Sequence, residues 1–157
     1  MGDRSRIRIM LLQIERDLGG LGLMPPCSTY HRFAVGMTGD KMSSSKPEST
    51  IFMDDEIESM ERKVKRAISG GQPTVEEHRR LGGDVSKDVA YQYLQFFFES
   101  DDAALAEVKS EYESGRMLAG EVKQICIDRA TDWLIDLKQK RDQMEDAVAE
   151  FLAPDAI

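Results

Sequence analysis

Apolar residues recur every three or four positions over much of this chain, and the recurrence breaks at glycines. Ile57, Met60, Val64, Ala67 and Ile68 share one face of a helix that begins near Asp54 and stops at Gly70-Gly71. Asp54, Asp55 and Glu56 stand at the positive end of its dipole, and Arg62, Lys63, Lys65 and Arg66 stand toward the negative end. Thr74-Val75-Glu76-Glu77 has the spacing of a capping box and opens a short helix that ends at Gly82-Gly83. Val89, Tyr93, Phe96 and Phe97 give a third helix, over 87–99, the most aromatic face in the chain. Helical spacing assigns those rings to a packed core rather than to stacking on bases. Ser100-Asp101-Asp102 starts a fourth helix that runs to Ser114. The last helix, Gly120 to Leu152, carries Val122, Ile125, Trp133, Leu137, Met144 and Val148 at near-heptad spacing. Upstream, a helix over 6–18 ends at Gly19-Gly20, and Pro25-Pro26 then forces extended backbone. Residues 28–37 read as a short strand or an irregular run, and Thr50 to Met53 as a short extended piece. Four or five helices with short connections imply a mainly α chain built as an antiparallel bundle.

Composition narrows the class. The 157 residues are 41% apolar and 32% charged, with a formal net charge of −8. No apolar run approaches the ~18 residues that span a bilayer, and charges interrupt the apolar start, so it does not read as a signal peptide. Cys27 and Cys126 lie far apart without a CxxC pair, which suits ordinary thiols in a cytoplasmic protein better than a disulfide or a metal site. Acidity argues against indiscriminate nucleic-acid binding. Basic residues nevertheless gather at Arg62, Lys63, Lys65 and Arg66, at Arg79-Arg80, and at Lys138, Lys140 and Arg141. Such clusters are either solvated helix faces or a local RNA-binding surface.

The segment Gly39-Asp-Lys-Met-Ser-Ser-Ser-Lys-Pro-Glu-Ser-Thr50 departs from this pattern. Its serines do not hold a helix. Lys41 and Lys46 bring positive charge, and the serine hydroxyls and backbone amides are donors suited to polyphosphate oxygens. Such a loop clamps a charged leaving group, and acts most where charge builds up in a transition state. A flexible, phosphorylated linker is the plain alternative.

Lys41-Met42-Ser43-Ser44-Ser45 resembles the KMSKS signature of class I aminoacyl-tRNA synthetases, with serine in place of the second lysine. STYHRFAVGMTGDKMSSSKPESTIFMDD, SGGQPTVEEHRRLGGDVSKDVAYQYLQFFFESDD, ESGRMLAGEVK and the closing EFLAP extend the likeness over residues 20–154. They resemble the archaeal and eukaryotic tryptophanyl-tRNA synthetases. The resemblance implies that residues 1–53 are the tail of a Rossmann-type catalytic domain carrying its mobile loop, and that 54–157 are a helical anticodon-binding domain. It implies ATP, with Mg2+, as substrate, and tryptophan and tRNA(Trp) as partners. Lys41, Met42, Ser43, Ser44, Ser45 and Lys46 would contact ATP, with Lys41 as the leading clamp and Lys41 and the three serines acting in catalysis. Gln72 and Pro73 in the turn before the capping box, and Glu121 and Lys123 on the last helix, would face the anticodon.

The family's other half is a nucleotide-binding domain with a HIGH-type motif, and nothing here matches it. His31 and His78 stand alone, and His78, on its short helix, reads as a packing or capping residue. The expectation is therefore the C-terminal part of such a ligase, unable to form adenylate by itself; the complete protein would be a homodimer. A tyrosyl enzyme of the same subclass, a non-catalytic helical tRNA-binding module and a scaffold with a phosphorylated loop are the competing readings.

Overall fold

The computed structural model describes residues 10, 12–14, 16–18 and 33–151. The chain divides into two compact units, Met1–Phe33 and Ala34–Ile157. In the first, residues 10, 12–14 and 16–18 are helical, within the helix expected there. The expectations for Pro25-Pro26, Cys27, His31 and the closing residues 152–154 fall outside the described residues.

The second unit is helical throughout, with no strand among the described residues. Its helices are α1 (Ile57–Arg66), α2 (Val75–Leu81), α3 (Val89–Tyr93), α4 (Asp102–Glu113) and α5 (Ala119–Phe151). A single π turn, Leu94–Phe98, continues α3. α1 and α3 with its π turn pack on α5, and α4 touches it more lightly. The core joins Met60 and Val64 of α1 with Ala67 just past its end, Val89, Ala90, Tyr91 and Tyr93 of α3, and Val122, Cys126, Ile127, Ala130 and Leu134 of α5. Burial pushes the Cys126 thiol up to about 12.

Local chemistry sets most boundaries. Thr74 Oγ1 accepts from Glu77 N at 3.2 Å, as the capping box requires, although the Glu77 carboxylate returns to the threonine hydroxyl (3.1 Å) rather than to the backbone. α2 ends at Gly82, whose φ of 72° and close approach to Glu113 (a Cβ would lie 1.8 Å from its carbonyl oxygen) both require glycine. Asp101 caps α4 through Ala103 N (2.8 Å). α1 starts at Ile57 rather than Asp54 because the Asp55 carboxylate turns back. It accepts from Phe52 N at 2.9 Å and from Lys63 Nζ at 2.6 Å.

Three expectations are corrected. Lys63, grouped with the basic cluster of α1, is 3% exposed, paired with Asp55 and set 4.8 Å over the Phe52 ring. It is withdrawn from any charged surface. Phe97, expected in the core, is 52% exposed, because the i→i+5 bond from Glu99 N to Leu94 O (2.9 Å) rotates the following side chains. Phe98 takes the inner place instead, tilted against Trp133 at 5.9 Å. On α5 the buried line runs through Cys126, Ala130 and Leu134, whereas Trp133 and Met144 are exposed. A 33-residue helix is about 50 Å long, roughly three times α1, so its second half outruns its neighbours.

A buried carboxylate joins these parts. Asp88, fully buried, accepts from Tyr91 N (3.0 Å), Gly70 N (3.0 Å) and the Tyr112 hydroxyl (2.9 Å). It thereby caps α3, holds the turn after α1 and anchors α4. Burial, then the Asp88 charge, drives the Tyr112 phenol well above its usual range. All three partners are donors, and an amide would place its own NH2 against one of them. Asp88→Asn is therefore expected to lower the unfolding free energy by about 2–3 kcal/mol, and Tyr112→Phe by about 1 kcal/mol. Urea titrations of the three chains check this; equal midpoints would show that the carboxylate bears little of the load.

Candidate functional site

The lysine–serine loop rises from a base bolted to the helices. Met37, buried, donates its N–H to Ser49 O (3.0 Å) and its carbonyl accepts from Ile68 N (3.1 Å), just past the end of α1. Gly39, at φ 82°, lies against Ile68; a Cβ there would approach Ile68 Cδ1 to 2.4 Å. Pro47–Ser49 form one 3-10 turn with proline in its first position. Between these supports Lys46 N bonds Ser43 O at 3.0 Å, closing a four-residue turn over Ser43, Ser44, Ser45 and Lys46.

Within the loop the six expected residues divide by role. Met42 is half-buried against the core, and its sulfur accepts from the Tyr93 hydroxyl at 3.3 Å. Desolvation raises the Tyr93 phenol to about 12, so it stays a donor. Ser43 Oγ lies 2.9 Å from Ser45 Oγ. Lys41, Ser44, Ser45 and Lys46 are exposed. Asp40, Lys41, Met42, Ser43, Ser44 and Lys46 line one open depression. No ion pair within the described residues engages Lys41 or Lys46. The N–H groups of Ser44 and Ser45 likewise make no hydrogen bond with a described residue. Two adjacent free amides and three hydroxyls on the turn, with the ammonium groups of Lys41 and Lys46 beside it, make a set rich in donors, although the Asp40 carboxylate shares the depression. Such a set is suited to an anion rich in oxygen.

Of the other four expected residues, three are tied into the fold by hydrogen bonds. Gln72 donates its side-chain amide to Gly82 O at 3.0 Å and its backbone N–H to His78 Nδ1 at 3.4 Å. His78, buried, pairs its Nε2 with Met117 O at 2.8 Å and packs on Tyr112. It packs, as the sequence reading has it. Pro73 is exposed. Glu121 accepts from Leu118 N (2.7 Å) at the head of α5. Lys123 is no ordinary surface lysine. Its Nζ reaches Lys65 O (2.9 Å) and Ala67 O (2.6 Å), satisfying carbonyls at the end of α1. Desolvation lowers its pKa, against the opposing charge of Asp88. Gln72, Pro73, Glu121 and Lys123 thus lie near helix ends, three of them already carrying bonds.

Sequence reasoning passed over Met37, Ser49 and Tyr93, which hold the loop. The proline at the start of the 3-10 turn was the one local sign. Among the described residues no group of three His, Cys, Asp or Glu side chains is placed to hold a metal ion, and no helix is long and apolar enough to cross a membrane.

Residues 3–134 match the family of tRNA synthetases class I (W and Y). The tryptophan–tRNA ligase of Saccharolobus solfataricus is 41% identical over 143 residues, which make up 88% of this chain and 38% of that protein. That of Methanocaldococcus jannaschii is 40% identical over 145 residues, 90% of this chain and 39% of that protein. The crystal structure of tryptophanyl-tRNA synthetase from Aeropyrum pernix superimposes with a TM-score of 0.89 at 30% identity, over 99% of this chain and 43% of that one. The chain therefore spans about two fifths of the length of the relatives it matches. With its lysine–serine loop on a helical unit and its kinship to tryptophan–tRNA ligases, this chain belongs to the class I tRNA synthetases of the tryptophan and tyrosine family.

Proposed function

We propose that this chain serves the ATP-dependent attachment of tryptophan to tRNA(Trp), supplying the loop that clamps ATP and the helices that recognise the tRNA. In this reading residues 1–53 belong functionally to the catalytic half and 54–157 to the anticodon-binding half. The single observation that supports it is the turn at Ser43 to Lys46, where two unbonded amides and the serine hydroxyls stand beside two lysines that no ion pair among the described residues engages. The similarity to tryptophan–tRNA ligases at about 40% identity favours tryptophan over tyrosine as the amino acid.

In the reaction, a tryptophan carboxylate oxygen attacks the α-phosphorus of ATP. The bond between α-phosphorus and bridging oxygen breaks, and pyrophosphate leaves. Negative charge grows on that leaving group, and Lys41 stabilises it there, with Ser43, Ser44 and Ser45 donating to phosphate oxygens. Lys46 adds a second charge from the far end of the turn. Met42, whose sulfur seats the loop on Tyr93, also borders the depression and would contribute its backbone to the ATP contact. A terminal ribose hydroxyl of the tRNA then attacks the adenylate carbonyl, and AMP departs. Mg2+ would arrive with the nucleotide phosphates. The reading assigns the tryptophan pocket to the three fifths of the relatives' length that has no counterpart in this sequence, and a two-fold dimer to the complete ligase.

For the tRNA, the exposed Pro73, with Gln72, Glu121 and Lys123, mark the face nearest the anticodon. Lys123 would have to exchange two backbone carbonyls for RNA oxygens or base edges. A non-catalytic tRNA-binding module is the second reading, favoured by the same helical face considered without the loop.

In the complete ligase, Lys41→Ala is expected to slow adenylate formation by about 10²–10³-fold with tryptophan binding intact. Pre-steady-state rates equal to those of the parent would remove the clamp role. Lys123→Gln is expected to raise the KM for tRNA by about tenfold, and unaltered charging kinetics would reject that contact. The isolated chain should bind tRNA(Trp) with an affinity that falls linearly with salt on logarithmic axes. Binding that ignores salt would rule out phosphate contacts.

A further inference from the structure

We propose that Ser49, which lies outside the signature, is the positioning residue that gives the phosphate-binding turn its shape. The proposal rests on reading that turn as a nucleotide clamp. Ser49 is 1% exposed, and its side chain points back into the loop rather than into the helices. One hydroxyl closes both ends of the turn. It accepts from Ser43 N at 3.2 Å, the first amide, and donates to Lys46 O at 2.7 Å, the last carbonyl. Thr50 Oγ1, 3.3 Å away, can supply a second donor to the same oxygen. The hydroxyl has one proton and two lone pairs; the proton goes to Lys46 O, the nearer of two carbonyls (Ser43 O lies at 3.4 Å), and one lone pair takes the Ser43 amide.

What the pin leaves out matters as much as what it holds. By occupying the Ser43 amide and the Lys46 carbonyl, it engages one donor and one acceptor at the ends of the turn. The Ser44 and Ser45 amides between them, in exposed residues, make no hydrogen bond with a described residue. Without the hydroxyl the Lys46 carbonyl would keep one donor instead of two, and its partial negative charge would be less fully met. The backbone of Ser49 completes the fixture: its N–H also reaches Lys46 O (2.9 Å), and its carbonyl receives Met37 N (3.0 Å). The turn is thus referenced to Met37, and through Ile68 to the end of α1.

The test uses this chain as it stands, with Ser49→Ala and Ser49→Thr, and inorganic tripolyphosphate as the probe. Amide hydrogen exchange is followed residue by residue, and tripolyphosphate binding is read from the Ser43 to Lys46 amide shifts. In Ser49→Ala, exchange at Ser43 and Lys46 should rise about tenfold or more while α5 amides keep their protection, and tripolyphosphate should bind about tenfold more weakly. Ser49→Thr, which keeps the hydroxyl, should restore both. A merely structural serine would move neither the local exchange nor the binding selectively. Should the alanine chain lose its fold, Ser49→Cys, near-isosteric and a poor donor, provides the same comparison. Unchanged exchange and binding in the alanine chain, with the parent binding tripolyphosphate, would overturn the role of Ser49. A parent chain whose loop amides do not respond to tripolyphosphate would instead overturn the clamp reading, and the positioning role with it.

Discussion

A fully buried carboxylate sits at the junction of this fold, and the geometry around it follows from the need to satisfy it. Asp88 is fully buried, and an ionised carboxylate in that position is tolerable only with several donors aimed at it. The chain brings three, from α3, from the Gly70 turn and from Tyr112 of α4. Meeting that demand fixes where three segments cross. Next to it, Val89 N donates to Ile68 O at 3.1 Å, and Ile68 N in turn reaches Met37 O. The base of the lysine–serine loop and the heart of the helical unit are therefore one hydrogen-bonded piece. The loop is presented by a rigid support, which a site needs if its donors are to be in place before the substrate arrives.

Helix existence was legible because apolar periodicity and capping chemistry agree. Thr74 with Glu77, Asp101, and Gly82 after the second helix announce their roles locally. What escaped depends on partners distant in sequence. Asp55 looks like a dipole-favouring helix start, yet Lys63 and Phe52 N claim it, and the helix begins later. The π turn has no signature in Leu-Gln-Phe-Phe-Phe, since a helical period of aromatic residues is compatible with two registers; Phe98 and Trp133 choose between them. Nor does a heptad pattern tell how far neighbours extend, so Met144 read as core although no described helix covers it.

The candidate site divides along the same line. Lysines and serines at this spacing suggested phosphate before any coordinates, because charge and donor type are properties of residues. Which of them face outward is a property of the support. Met42 turned inward, Ser49 outside the motif became its keystone, and Lys123 and Gln72 proved to be braces between helix ends. Long polar side chains near helix termini satisfy carbonyls in cis before they meet a partner. A reading from spacing alone sees the reach of such a side chain but not what it has already grasped.

The bond from Tyr93 to Met42 carries a consequence of its own. Thioether sulfur is a soft, feeble acceptor, so the contact seats the loop at small energetic depth. A carboxylate or amide oxygen in place of that sulfur would grip the phenol more tightly. The catch at the forty-second residue is thus shallow, while the firm fastenings, at Met37, Ser49 and Ile68, lie behind it.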